Sequence, residues 1–283
     1  MKARKIQRSG TTYYLYLPAS WCREHNITTE SIVYLKNTTQ GDLLIQPHST
    51  EINLHSLHLE VQEVDPGILN KLIVASYVNP VKEFEIELKK PITPDQILEH
   101  KKLLGGLELI DFSEKSISSQ TSLSLVDSDA LLKMMVRKII SITKLMMKNE
   151  NPELLERYEE EIDKTNFLIN KSIVASLMYR RESDLKHIEL YYIGHISRSL
   201  EQLTDLLVSL ENDTALITTT QDLMKDLLTV IDTISKPLII AFMKKIEHLD
   251  KVKVKDLASY KRKRIHDIFE DISEILSDWL IRR

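Results

Sequence analysis

One cysteine and six glycines in 283 residues set the first limits. A lone Cys22 excludes an internal disulfide framework, fits a reducing compartment and reads as a small buried residue. The few glycines form no Gly-rich loop of the kind that cradles phosphate. No apolar run reaches the roughly 18 residues that span a bilayer. Lys2, Arg4 and Lys5 precede strand-like residues, so they do not open a signal peptide. No membrane insertion and a cytoplasmic location are therefore expected. Catalytic patterns are also missing. The nine histidines are scattered with no His-xxx-His pair, and no serine sits in a nucleophile elbow. His266 and Asp267 are neighbours, so a helix would turn them to different faces. The carboxylates discussed below have no nucleophile or general base beside them, and the expectation is a protein that is not an enzyme.

Charge is weak in total and uneven along the chain. The net is −4, too little of either sign to imply bulk binding of nucleic acid. Residues 1–50 differ, with Lys2, Arg4, Lys5, Arg8, Arg23 and Lys36 against Glu24, Glu30 and Asp42, a net of +3. Four of these cations fall in the first eight residues. Two such arms side by side would suit phosphate contacts, and one alone would suit solvent.

The pattern divides into residues 1–50, 51–126 and 127–283. In the first part Tyr13–Leu17 reads as a strand and Pro18 opens a short helix ending near Asn26. Ile32–Leu35 and Leu43–Gln46 follow as strands, with Gly41-Asp42 turning between them. So small a unit has little core and is expected to close its sheet edges with a second copy of itself. In the second part Leu57, Leu59 and Val61 alternate with polar residues, as do Phe84, Ile86 and Leu88. Asp65-Pro66 starts a helix through Ile68, Leu72, Ile73 and Tyr77. Thr93-Pro94-Asp95 starts another, ending at Gly105-Gly106, and Leu107–Phe112 and Ser116–Leu125 are further strands. This order predicts a ferredoxin-like α+β unit.

From Asp127 onward the chain reads as long helices: Ser128–Asn149, Pro152 to Arg181, Ser183 to Leu210, Thr214 to His248 with a kink at Pro237, and Val254 to Arg283. Leu155, Tyr158, Ile162, Ile169 and Ile173 form one apolar stripe, and Ile196, Leu200, Leu203, Leu207 and Leu210 another. Short connections then imply an antiparallel bundle. Met134, Met135, Met146 and Met147 are read as its core, His195 as a packed or surface residue, and Lys261–Arg264 as a solvated face open to an acidic partner. Two helices carry carboxylates four residues apart, Glu159 with Asp163 and Glu201 with Asp205. Each pair shares a face, so two such helices packed together could offer four oxygens to one hard cation. Such spacing also occurs on solvated faces.

The segment "RKIQ…SG…YYLYLPASWCREHNI…SIVYL…GDLLIQP" (Arg4–Pro47) resembles the AbrB/SpoVT swapped-hairpin domain. The resemblance implies that two chains interleave into one β-barrel and that Lys2, Arg4, Lys5, Arg8, Thr11, Thr12 and Arg23 contact double-stranded DNA. Tyr13 and Tyr14 stand where the family often has small or basic residues, and Arg23 is the one cation of a helix that commonly has two.

The helical part is similar to the PhoU family of phosphate-signalling proteins. "RYEEEIDKTNFLI" (Arg157–Ile169) resembles that family's second helix, and "SRSLEQLTDLLVSL" (Ser197–Leu210) its metal-motif helix, with Glu201 and Asp205 at the acidic positions. Gln202, Thr204 and Leu206 depart from the pattern. A second motif copy would fall on the last helix, where Asp267 is kept but Lys263 replaces an acid and opposes a metal ion. The order of parts, with "LLGGLELIDFSEKSIS" in the middle, resembles archaeal regulators. Together these imply a multidomain α+β homodimer that regulates transcription, with phosphate uptake as its subject. A divalent or ferric ion would sit at Glu159, Asp163, Glu201 and Asp205, and a phosphate-transporter ATPase or another signalling protein would be a partner. The rival expectation is an adaptor that does not bind DNA and regulates a phosphate ABC transporter through the bundle.

Overall fold

The computed structural model describes residues 4–37, 41–47, 55–62, 65–96, 110–120, 127–148, 152–179, 185–210, 213–249 and 253–282. The chain is mixed α and β and divides into two compact units, Met1–Asn53 and Leu54–Arg283.

In the first unit β1 (Gln7–Ser9) and β2 (Thr12–Tyr14) form an antiparallel hairpin with Arg8 opposite Tyr13. Gly10, at φ +60, makes the turn in a conformation that costs other residues more. The strand expected over Tyr13–Leu17 is thus corrected to Thr12–Tyr14. β1 offers only three residues to pair with, so Leu15–Leu17 lie outside the ladder. Helix α1 (Ala19–Glu24) follows Pro18, and Asn26 ends the turn in the left-handed region at φ 53, as its position in the sequence predicts. β3 (Tyr34–Asn37) pairs antiparallel with β4 (Leu43–Gln46), two residues later than the expected Ile32–Leu35. Tyr34 to Asn37 are the residues in register with Gln46 to Leu43, so the ladder sets the boundary that composition left loose. No described side chain of this unit is buried.

The second unit opens with β5 (Ser56–Val61), α2 (Pro66–Val78) and β6 (Glu83–Leu88). Asp65 caps α2, its carboxylate accepting from the Ile68 amide at 3.1 Å. β5 and β6 are parallel direct neighbours, and β6 then pairs antiparallel with β8 (Ser116–Gln120), which pairs with β7 (Ile110–Phe112). The ferredoxin-like expectation is corrected here. That fold places another strand between the parallel pair, whereas here β5 and β6 share a ladder and the later strands form a hairpin at one edge. The alternating residues serve as read, for Phe84, Ile86 and Leu88 are buried with Ile117. On α2 the buried face is Leu69, Ile73 and Tyr77, while Ile68 is exposed. Thr93 and Gln96 form a reciprocal capping box, at 2.9 and 3.3 Å. The continuation to Gly105-Gly106, the Leu107–Leu109 and Thr121–Leu125 parts of the expected strands, and the expected helix start at Ser183 lie outside the described residues.

Among the described residues six helices follow: α3 (Ser128–Met147), α4 (Pro152–Tyr179), α5 (His187–Val208), α6 (Thr214–Asp232), α7 (Lys236–Glu247) and α8 (Leu257–Arg282). Their cross-links give the directions. Ser128 meets Ser172 at 2.9 Å and Lys138 meets Glu161 at 3.1 Å, so α3 and α4 are antiparallel. Ser197 with Asn166 sets α5 against α4, and Gln221 with Thr143 sets α6 against α3. Trp279 donates to Glu189 at 3.1 Å and Lys261 to the Ser209 carbonyl at 2.6 Å, so α8 runs antiparallel to α5. One continuous core joins all six, and both apolar stripes contribute to it. Met135 is fully buried, but Met134 lies on the solvent side of α3, which corrects its reading as core. The kinked helix is two helices. Pro237 lies in the first turn of α7, where its missing N–H has no partner to lose, and the chain breaks at Thr233–Ser235. Phe167 of α4 packs on the sheet core, and Lys171 lies over the Tyr77 ring at 4.0 Å, joining the sheet to the helices.

Candidate functional site

The acidic residues come together because α4 and α5 pack closely. Gly194 faces Ile173, where a Cβ would lie 3.2 Å from the Ile173 Cδ1, and Ser197 donates to the Asn166 amide oxygen at 3.0 Å. Antiparallel helices held at these points bring the next turns face to face, with Asp163 towards Glu201 and Glu159 towards Asp205. Carboxylate oxygens of Asp163, Glu201 and Asp205 lie within 4.8 Å of one another. Glu159 stands outside this trio, near enough to Asp205 to feel its repulsion.

All four carboxyls are harder to ionise than usual. Burial is the largest cause in each, and like charges add to it in Asp163, Glu201 and Glu159. Asp163 is pushed up to about 7, by burial first and then by Glu201, Asp205 and Glu159. Arg198 acts the other way on Glu201. A cation would reverse this balance by replacing repulsion with coordination. The donors are all carboxylate oxygens, which suit a hard ion such as Mg²⁺, Mn²⁺, Ca²⁺ or Fe³⁺ and not a soft one. Of the departures from the family pattern, Gln202 is exposed and Thr204 is buried with its hydroxyl on the Leu200 carbonyl, so neither side chain adds to the donor set.

The last helix is different. Asp267 is 3.7 Å from Arg264, and Lys263 is exposed. The expectation that His266 and Asp267 diverge is corrected, because their ligating atoms lie within 4.8 Å of each other and of Glu270. Side chains on one helix can reach across a turn even where their Cβ atoms diverge. A further group, His58, Glu60 and Glu87, sits on the outer face of β5 and β6. Scattered positions hid it in the sequence. The signal was the alternation itself, since the register puts His58 opposite Glu85 and Glu60 opposite Glu87. His195 is exposed and its ring lies tilted against Tyr191, with centroids 4.3 Å apart.

The cationic residues of the first unit are all exposed where described. Arg4 and Lys5 precede β1, Arg8 lies in β1, Thr11 and Thr12 are at the turn and the start of β2, and Arg23 lies in α1. Lys2 is outside the described residues. Arg8 is partly committed, its Nε donating to the Gly10 carbonyl at 2.8 Å and its guanidinium lying 5.6 Å from the Tyr13 ring centre. Arg23 donates to the Ala19 carbonyl at 3.3 Å. Comparison with family models, curated proteins and solved structures found no match to this chain.

Proposed function

We propose that this chain is a homodimeric DNA-binding transcriptional regulator. Its first unit pairs with that of a second copy, in the manner of the AbrB/SpoVT resemblance, and its helical array senses or transmits a signal. One observation carries the reading. Ile6, Tyr13, Tyr16, Ile32 and Leu35 expose 63–74% of their surface, and no described side chain of the unit is buried. A folded unit with apolar strands and no core of its own needs a partner to cover it, and a second copy covers both at once. Arg4, Lys5 and Arg8 then lie doubled along one surface, with Thr11, Thr12 and Arg23 nearby. Phosphate uptake as the subject of regulation rests on the PhoU resemblance alone. The four carboxylates of α4 and α5 would hold a hard cation within the sensing part.

The test is duplex binding followed by anisotropy between about 50 and about 200 mM salt, alongside light scattering for mass. A regulator gives a dimer and a steep salt slope. Changing Arg4, Lys5 and Arg8 to Ala flattens that slope by about 0.9 for each phosphate no longer neutralised. The engagement of Arg8 and Arg23 with their own unit favours the second reading, an adaptor that regulates a phosphate transporter through the bundle. A dimer with no duplex binding at low salt decides for the adaptor.

A further inference from the structure

The core stripe of α8 runs through Trp279, Leu276, Ile272, Ile268 and Ile265. Helical spacing carries the same side of the helix back through Arg264 and Lys261 to Leu257. There no described residue covers the stripe. Leu257 exposes 68% of its surface, Tyr260 on the adjoining face 48%, and Val254 just before the helix 52%.

This apolar tip is set among cations. Residues 253–264 contain Lys253, Lys255, Lys261, Arg262, Lys263 and Arg264 against one carboxylate, Asp256. Two of the cations hold the helix in place, and a third is engaged within it. Arg262 pairs with Asp213 at 2.7 Å, Lys261 donates to the Ser209 carbonyl at 2.6 Å, and Arg264 lies 3.7 Å from Asp267. Asp256 caps the first turn, accepting from the Ser259 amide at 2.8 Å. Lys253, Lys255 and Lys263 are exposed and have no counter-ion among the described residues. The second turn is thus anchored while the first projects.

Duplex DNA would satisfy the lysines and leave the leucine and valine in water. An acidic protein would do the same unless it also carried an apolar groove. The surface of an anionic bilayer supplies both, with phosphates at the headgroup level and an acyl boundary about 5–10 Å below it. No described helix is long and apolar enough to cross a membrane, so the contact would be interfacial. We propose that residues 253–264 form a peripheral docking face for an anionic phospholipid surface. Val254, Leu257 and Tyr260 enter the acyl boundary, and Lys253, Lys255 and Lys263 meet the phosphates.

The experiment is flotation of the full chain with vesicles of phosphatidylcholine alone or mixed with phosphatidylglycerol. Binding is expected to the mixed vesicles only, weakening with salt. Changing Lys253, Lys255 and Lys263 to Ala lowers it on the order of 100-fold, from about fivefold per cation. Leu257→Ser with Tyr260→Ser lowers it at constant charge. Arg4→Ala with Lys5→Ala and Arg8→Ala leaves it in place, separating this face from the amino-terminal cations. The proposal is overturned by no flotation at low salt, or by loss only in the amino-terminal variant. Retention on polyglutamate with vesicle binding indifferent to the Leu257 and Tyr260 changes also overturns it, in favour of an acidic protein partner.

Discussion

Asp163 and Lys171 lie two helical turns apart on α4 and respond to pH in opposite directions. Asp163 has its carboxyl pushed up to about 7, mainly by burial. A carboxyl whose folded value exceeds its unfolded one adds stability below about 4 that is lost as pH rises through about 7. Lys171 is pulled down to about 8 by burial over the Tyr77 ring. A depressed amine adds stability above about 10.5 that is lost as pH falls through about 8. Between them, the cation-free protein should be least stable near pH 7–8, measured by urea titration across the range. Asp163→Asn should raise stability at pH 8 by about 1–2 kcal/mol once solvent screening is discounted, and Lys171→Met should remove the alkaline limb. Adding Mn²⁺ should fill the dip in the parent and not in Asp163→Asn. A second residue shows what a buried carboxylate can do when it is satisfied. Glu189 accepts from the Trp279 indole at 3.1 Å and from the Lys186 amide at 2.9 Å, tying the start of α5 to the end of α8. Glu189→Ala leaves both donors unpaired and should cost about 1–3 kcal/mol in chemical unfolding, with Trp279 fluorescence shifted to the red.

Spacing between helices decides whether the carboxylates form one group. Gly194 sets it for α4 and α5. Ala there brings a Cβ to 3.2 Å from the mobile end of Ile173, which can shift by a few tenths of an ångström. Leu cannot be absorbed in that way. Gly194→Leu should cost about 1–3 kcal/mol by overpacking and should weaken Mn²⁺ binding in calorimetry far more than Gly194→Ala does. The α6–α7 break gives a contrasting case. Pro237 lies in the first turn of α7, so Pro237→Ala should change stability by less than about 1 kcal/mol, against about 3 or more for an interior proline. An unfolding midpoint much lower than that would mean the proline holds the break open.

The two units differ in how they can be stable. Unit 2 has a helical core and a sheet core of its own. Unit 1 has apolar strands and nothing buried among its described residues. A chain starting at Leu54 should therefore keep the helical melting transition of the whole protein. It should lose the dimer mass seen by light scattering if pairing runs through unit 1. A truncated chain that remains a dimer would move the pairing to the helices and remove the main support for the proposed regulator.

Much of this was legible one segment at a time. Alternating Phe84, Ile86 and Leu88, the Asp65 cap, the left-handed Asn26 and both helical stripes are local patterns, and local geometry with a buried face was enough to specify them. The acidic pairs were visible too, but only as two separate spacings on two helices. Their meeting depended on the antiparallel packing of α4 on α5, which no residue within either motif encodes. The same holds for the parallel ladder of β5 and β6, for the His58 cluster it assembles and for the two-residue shift in β3. Each joins residues far apart in the chain, and such pairings are settled by which surfaces exclude water together, not by the preferences of any one stretch.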